Sequence, residues 1–472
     1  MIPITEYSGR DVAVFGLGRT GLSAAKALAA GGARVHAWDD NEKTRVKAEA
    51  EGITLSDINK RDWQSFAALI LSPGVPYKFP QPHRVVRMAE MTGVPVVGDM
   101  ELFARAVQAL PERGRPKVIG ITGTNGKSTT TALIGHILKE AGRDARVGGN
   151  IGTGVLDMAP LHANSVYVLE LSSYQLDLAK SLHCDISVFL NFSPDHLERH
   201  GGLQGYLDAK KRIFQNQGQN DFAIVGVDDL HTQSVSMSLA SKANQNVVQI
   251  SSGYALGRGI SAIDGRLYSS LLGKAMLAGD LRDAPTLPGK HNHQNVAAAF
   301  AVCRVLGIEP GVIMQAIYTF PGLPHRLELA GKVEGVRFIN DSKATNAQAA
   351  EQALKAFPRV YWIAGGQAKS DGIGDLAPLF PHVAKAYLIG EAQDGFARTL
   401  KGKAPTAKCG TLENAVHEAL HDASASGEKD PVVLLSPACA SFDQFRDFEA
   451  RGDAFKSIVS SLGDGPPFSE SA

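Results

Sequence analysis

The sequence predicts an α/β protein built as three successive domains. Three observations lead there. The chain has 472 residues, which suits about three domains of ordinary size. Short apolar runs alternate with amphipathic ones along most of its length, the pattern of strands followed by helices. Two glycine-rich turns, one near each end of the first 130 residues, each follow an apolar run and precede a helical stretch.

The first turn opens the N-terminal domain, residues 1–108. Val12 to Phe15 is strand-like, and Gly16-Leu17-Gly18-Arg19-Thr20-Gly21 follows. A helix is expected next, with Leu22, Ala25, Leu28 and Ala29 on one face. Arg34 to Trp38 is a second strand, ending in Asp39-Asp40. Leu69 to Leu71 leads into the turn Ser72-Pro73-Gly74, and Val94 to Val97 is a further strand. This is a Rossmann-like unit. Its glycines fit a dinucleotide fingerprint, and Asp39 lies near the place of a ribose-binding acid. NAD, another nucleotide diphosphate, or a tight turn with no ligand all satisfy that pattern.

Gln108 to Lys117 is polar, with Pro and Gly, and reads as a linker. The central domain, 109–320, opens with Val118-Ile119-Gly120-Ile121-Thr122-Gly123-Thr124-Asn125-Gly126-Lys127-Ser128-Thr129. A helix from Thr129 to Glu140 is expected to stop at Gly142. This is a phosphate loop. Backbone N–H groups of the turn and of the helix N-terminus point at an anion. Lys127 adds positive charge, and the Ser128 hydroxyl suits Mg²⁺. Ile121 stands where the strict spacing has a glycine. Later strands are expected at Ser165 to Leu169, Ile186 to Leu190 and Phe222 to Val227, with a closing helix from Asn292 to Leu306. The central domain is therefore P-loop ATPase-like. Asp228 to Asp283 is poorly periodic and yields no assignment.

The C-terminal domain, 321–472, reads as a second Rossmann-like sheet. Strands are expected at Val336 to Ile339, Val360 to Ile363, Ala386 to Ile389 and Val432 to Leu435. Helices at Ala347 to Ala356 and Leu412 to Ala423 alternate with them, and Gly463 to Ala472 is expected to fray.

Lys and Arg together number 48, as do Asp and Glu, so bulk charge gives no attraction to nucleic acid or membrane. Cys184, Cys303, Cys409 and Cys439 form neither a disulfide framework nor a metal-ligand spacing. The N-terminus lacks signal-peptide character, and no uncharged apolar run is long enough to span a bilayer. The expectation is a soluble cytoplasmic protein.

Polar residues at the C-terminal ends of strands carry function in such sheets. Glu170 ends Val166-Tyr167-Val168-Leu169, and His196 follows Asn191-Phe192-Ser193-Pro194-Asp195. Both suit a metal ion. Glu170 also suits a helix cap and His196 an exposed loop. Lys210, in Tyr206 to Phe214, reads as part of a solvated basic helix face. Asn292 and Asn295 sit on one turn, facing a nucleotide or capping the helix. In the third domain Lys343, Lys369 and Ser441 follow three different strands. Two lysines and a hydroxyl at one sheet edge suit a small dicarboxylate, and three ordinary turns with solvated lysines also satisfy the pattern.

Gly123-Thr124-Asn125-Gly126-Lys127-Ser128 resembles the ATP loop of the Mur ligases, the family that makes the peptide stem of bacterial peptidoglycan. The resemblance covers essentially the whole chain in the same domain order. Asn340-Asp341-Ser342-Lys343-Ala344-Thr345-Asn346 and Ser436-Pro437-Ala438-Cys439-Ala440-Ser441 resemble the D-glutamate-adding members. The resemblance implies ATP and Mg²⁺ as cofactors, and an acyl-phosphate route to an amide. It implies three small-molecule partners (ATP, D-glutamate and a UDP-sugar bearing L-alanine) and a monomer without membrane insertion. It implies a UDP-sugar site at Gly18, Arg19, Thr20, Asp40, Ser72 and Gly74, with Asn150 near the reacting end. ATP would meet Gly123 to Thr129, Asn292, Asn295, Arg326 and Asp341. Mg²⁺ would meet Ser128, Glu170, His196 and Lys210, the last where the family has a carbamylated lysine. Lys127, His196 and Lys210 would be catalytic. D-Glutamate would meet Lys343, Thr345, Lys369, Ser441, Phe442 and Phe448. One departure is plain: Gln367 stands where the family's Gly-Gly-Asp-Gly-Lys form has an acid.

Without the resemblance, an NAD(P)-dependent dehydrogenase built on the first loop would leave the phosphate loop unexplained. A nucleotide-switched binding protein would need no amide product.

Overall fold

A computed structural model describes residues 1–271, 273–367 and 372–463. It separates into two compact units. One comprises Met1–Asp283 and Lys290–Thr319, the other Ala284–Gly289 and the chain from Phe320.

The first unit holds two sheets. The smaller has strands β1 (Asp11–Phe15), β2 (Arg34–Trp38), β3 (Leu69–Leu71) and β4 (Val96–Val97), all parallel, in the order β2-β1-β3-β4. The larger has nine strands: β5 (Lys117–Thr122), β6 (Asp144–Gly149), β7 (Ser165–Glu170), β8 (Ile186–Phe189), β9 (Phe222–Gly226), β10 (Asn246–Ser251), β11 (Ile260–Ile263), β12 (Arg266–Ser269) and β13 (Met276–Asp280). Their order is β13-β12-β11-β10-β9-β8-β5-β7-β6. β5 to β11 run parallel, β12 pairs antiparallel with β11, and β13 pairs antiparallel with β12. The inner strands are apolar on both faces, with Val118, Ile119 and Ile121 of β5 and Tyr167 to Leu169 of β7 all buried. That is the composition of a parallel sheet covered on both sides. One apolar core runs from Val12, Val14 and Phe103 to Leu156, Tyr167 and Phe189. The helix Asp99–Gln108 enters it, and its Glu101 carboxylate accepts from Lys180 N at 2.6 Å and Ser181 N at 2.7 Å.

The second unit holds one sheet of six strands: β14 (Glu328–Val333), β15 (Val336–Asn340), β16 (Val360–Gly365), β17 (Val383–Ile389), β18 (Thr406–Gly410) and β19 (Val432–Leu435). The order is β14-β15-β19-β16-β17-β18, parallel except for β14 at the edge. Helices cover two apolar faces, one core around Trp362 and Phe380 and another around Tyr387 and Phe455.

Some local readings shift. Ala29 is exposed, and Leu22, Ala24, Ala25, Ala27 and Leu28 make the buried face of the helix Arg19–Ala30. The expected strand from Val94 shrinks to Val96–Val97. The polar segment after Gln108 contains a 3-10 turn at Glu112–Gly114. The stretch without periodicity contains the helix Leu230–Lys242 and strands β10 to β13.

Candidate functional site

In the first unit the phosphate loop leaves β5 between its neighbours β7 and β8, at the carboxyl end of the parallel strands, and enters the helix Lys127–Glu140. Gly126 supplies the left-handed residue before that helix, with φ of 82°. A β-carbon there would overlap Asn295 Oδ1, so both backbone freedom and close approach require glycine. Asn295 is buried, accepts from Thr130 Oγ1 at 3.2 Å and donates to Asn292 Oδ1 at 3.1 Å. Asn292 lies inside the helix Lys290–Val305, and the two amides brace the loop from behind.

The loop is held from the β8 side as well. Asn125 N donates to Asn191 Oδ1 at 2.9 Å, and Asn191 Nδ2 donates to Gln294 Oε1 at 2.9 Å. Thr124 N donates to Asn191 O at 3.0 Å, and Thr124 Oγ1 donates to Ser193 O at 3.1 Å. Two lysines meet on one carbonyl: Lys127 Nζ lies 2.9 Å and Lys210 Nζ 2.8 Å from Gly123 O. Ser128 and Thr129 are nearly buried in the first helical turn.

Lys210 overturns the reading as a solvated basic face. It is 1% exposed and packs over the Tyr206 ring. Burial, reinforced by the charge of Lys127, holds its ammonium well below the ordinary lysine range; Asp195 and Glu170 oppose that shift. The sequence pattern gave no signal for this, because the burial comes with tertiary contact to the phosphate loop at Gly123 O.

Glu170 ends β7 and is buried. Oε1 accepts from Asn150 Nδ2 at 2.7 Å, and Oε2 is buried with no hydrogen-bond partner among the described residues. The helix that follows is capped by Ser172 and Gln175, so Glu170 is not its cap. His196 is half exposed, takes a left-handed conformation with φ of 50°, and places Nε2 3.4 Å from Asp195 Oδ2. The residues fit Mg²⁺. The ion takes oxygen donors and usually keeps water and phosphate rather than a full protein cage. Ser128 and the spare oxygen of Glu170 are such donors, and no group of three His, Cys, Asp or Glu forms a cage among the described residues.

The first glycine loop is closed by Asp39, whose carboxylate accepts from Leu17 N at 2.7 Å and Asn41 N at 2.8 Å. Asp39 thus serves the backbone, and Asp40 is engaged with Arg84 at 2.8 Å. Gly18 is the N-cap of the helix, and Arg19 and Thr20 begin it. Arg19 donates to Gly152 O at 2.9 Å and Asn150 O at 3.3 Å, tying this loop to the Asn150 turn. Ser72 and Gly74 follow β3 beside β1.

In the second unit the loops after β15 and β19 lie together, because those strands are neighbours. Arg451 pins them. It is 1% exposed and donates to Ser342 O at 2.9 Å, Ser342 Oγ at 3.0 Å, Cys439 O at 3.1 Å and Ala440 O at 3.3 Å. Sequence reasoning missed it, since an arginine inside a helix reads as surface. Lys343 Nζ stands 5.5 Å from the Phe448 ring centroid, and Ser342 Oγ donates to Phe448 O at 2.8 Å. Ser441 is buried, Thr345 partly exposed, and Phe442 mostly exposed. Lys369 lies outside the described residues. Asp341 accepts from Ser436 Oγ at 2.8 Å, and burial pushes its carboxyl up to about 7 against the pull of Arg326. Arg326 Nε is buried with no hydrogen-bond partner among the described residues.

Family models match three stretches: "Mur ligase MurD-like, N-terminal domain" over residues 10–98, "Mur ligase middle domain" over 121–303, and "Mur ligase, glutamate ligase domain" over 325–439. The chain belongs to the Mur ligase family. It is 56% identical over 463 residues to a UDP-N-acetylmuramoylalanine–D-glutamate ligase of Caulobacter sp. strain K31, covering 98% of each. It is 49% identical over 467 residues to the protein of that name in Rhodospirillum rubrum, covering 98% of this chain and 97% of that one. Among solved structures, the UDP-N-acetylmuramate–alanine ligase of Thermotoga maritima matches with a TM-score of 0.58 at 18% identity, over 96% of this chain and all of that one. This Mur ligase therefore carries three α/β domains and is a ligase. No helix among its described residues is long and apolar enough to cross a membrane.

Proposed function

We propose that this Mur ligase joins D-glutamate to UDP-N-acetylmuramoyl-L-alanine at the expense of ATP, in the cytoplasm and as a monomer. One observation carries the reading: relatives bearing that activity in their names are 48–56% identical over 98% of the chain. The site supplies a chemistry that fits. In this reading residues 1–108 hold the UDP-sugar, 109–320 the ATP, and 321–472 the amino acid.

The alanine carboxylate oxygen attacks the γ-phosphorus. An O–P bond forms, the bond to the β-phosphate oxygen breaks, and ADP leaves with the electron pair. The D-glutamate amine then attacks the acyl carbon. The C–N bond forms, phosphate leaves, and the amine gives up a proton. Two anions must meet, and preset cations ease that approach. Lys127 neutralises phosphate charge, and the N–H groups of Gly123 to Thr129 orient it. Asn292 and Asn295 hold the loop. Ser128, Glu170 and His196 would hold Mg²⁺, which when bound screens phosphate oxygens and polarises the γ-phosphoryl group. Burial lowers the proton affinity of the Lys210 amine and so favours its free form, which takes up CO₂ with loss of a proton. The resulting carbamate supplies a further anionic oxygen donor. Gly18, Arg19, Thr20, Asp40, Ser72 and Gly74 hold the UDP-sugar, and Asn150 steers its reacting end. Lys343, Thr345, Ser441, Phe442 and Phe448, with Lys369, receive D-glutamate.

The test is an incubation of purified protein with ATP, UDP-N-acetylmuramoyl-L-alanine and a panel of amino acids. Phosphate release and amide formation are expected with D-glutamate alone. Amide formation without ATP, or phosphate release with no amide from any amino acid, would end the reading.

A further inference from the structure

One turn of the first unit touches both halves of the proposed substrate path. It begins at His196, makes a single helical turn, Leu197–His200, and closes through Gly201 and Gly202, both with positive φ. Arg199 leaves this turn toward the loop after β3. Its Nη1 donates to Gly74 O at 3.0 Å, and its Nη2 to Pro73 O at 3.3 Å and Val75 O at 3.2 Å. Three successive carbonyls of one loop thus converge on one guanidinium. The same group stacks over the Tyr174 ring at 4.7 Å. A second contact lies alongside: a β-carbon on Gly201 would come 2.7 Å from the Phe79 ring, so the segment that follows this loop rests on the turn as well. The loop itself is sewn to the first sheet, with Ser72 N donating to Phe15 O at 3.0 Å just before the glycine-rich turn.

The 73–75 loop has no regular hydrogen-bond ladder to fix its shape, and its carbonyls need donors. A planar fork with five donors can satisfy three of them and stack on an aromatic face together; an ammonium cannot. We infer that Arg199 is a positioning residue, which fixes the 73–75 wall of the first glycine loop's ligand site against the turn that carries His196. The nucleotide end of the UDP-sugar and its reacting carboxylate are thereby held in one frame. This rests on the UDP-sugar reading of the first loop.

The experiment compares full-length wild type, Arg199→Ala, Arg199→Lys and Phe79→Ala. UDP binding is measured by calorimetry, KM is measured separately for the UDP-sugar, ATP and D-glutamate, and thermal melting is followed in parallel. Losing these hydrogen bonds is expected to weaken UDP binding and raise the UDP-sugar KM about tenfold in Arg199→Ala. Arg199→Lys should be intermediate and Phe79→Ala mild, with the KM values for ATP and D-glutamate within about twofold of wild type. Equal UDP affinity in wild type and Arg199→Lys, or a parallel rise in all three KM values, overturns the inference. Should Arg199→Ala fail to fold, the lysine variant decides. A wild type that binds UDP but adds no D-glutamate would end the proposed activity, while the UDP comparison still decides the role of Arg199.

Discussion

Asn295 Oδ1 occupies the space that a side chain at Gly126 would need. The phosphate loop therefore does not hold its shape alone. It is pressed against the start of the helix Lys290–Val305, and the glycine reports that contact as much as the chemistry of phosphate.

Gly126→Ala is accordingly expected to raise the ATP KM by at least about tenfold, since it combines a positive φ with a steric overlap. Asn295→Ala in the same chain should recover only part of this, because the backbone strain stays. Steady-state kinetics with varied ATP check it, and an unchanged ATP KM in Gly126→Ala would contradict the close approach.

Lys127 folds back onto Gly123 O and Thr124 O, both at 2.9 Å. Its ammonium is thus held at the loop, ready for phosphate oxygens. Lys127→Ala should lower kcat by roughly 10³-fold or more, the scale of other phosphate-clamp residues. Near-normal turnover would remove the loop from the mechanism.

Lys210→Ala deletes both the donor to Gly123 O and the amine that a carbamate requires. The variant is expected to be inactive, and a short carboxylic acid added to the assay should restore part of the activity. Restoration is the informative arm, since a lysine with a purely structural role gives an inactive variant that no acid revives. Full activity of Lys210→Ala would return Lys210 to the role of an ordinary lysine.

The contrast between Lys210 and its neighbours marks where sequence reasoning stops. Strands such as Arg34–Trp38, Leu69–Leu71 and Val432–Leu435, and the helix Ala347–Ala356, coincide with the elements expected from pattern alone. Each is a short run of apolar or strongly periodic residues bounded by turn formers. The helix Leu230–Lys242 escaped because Leu230 and Met237 lie exposed on it, which spoils the apolar face. Strands β12 and β13 escaped because they are only partly covered, and β11 because the polar Ser261 interrupts its apolar run. Glycine and strand-end signals pointed to the phosphate loop and to Glu170. They said nothing of how the Asn191 side chain holds Asn125 N of the loop, or of how Gln294 holds Asn191 in turn. Buried charge is the least legible feature: Lys210 and Arg451 look like surface residues until tertiary contacts surround them.

Arg451 is a buried cation that ties two loops of the second unit together. Burial lowers its guanidinium to about 10, and it still holds four acceptors in two loops. Arg451→Met should destabilise the protein by about 3 kcal/mol or more, because several buried acceptors are left unpaired. Arg451→Lys, which keeps a charged donor at this position, should raise the D-glutamate KM while leaving the UDP-sugar KM near wild type. Urea melts and separate KM measurements read the two arms. An unaltered D-glutamate KM would detach the Ser342 and Ala440 loops from amino-acid binding.

Asp99 is fully buried at the start of the helix Asp99–Gln108, with Oδ2 accepting from Gln175 Nε2 at 3.0 Å and Oδ1 without a partner among the described residues. Burial pushes its carboxyl from 3.8 up to about 6. The folded state thus binds the proton more tightly than the unfolded state. Stability from this group is fully present below about 4 and is lost as pH rises toward about 6. The shift corresponds to about 3 kcal/mol. Asp99→Asn removes the titration and keeps the acceptor for Gln175, so its stability should fall less than that of wild type between pH 4.5 and 7.5. Other carboxylates titrate in both proteins and cancel in the comparison. Parallel melting curves for the two proteins across that range would show that Asp99 stays ionised inside the fold.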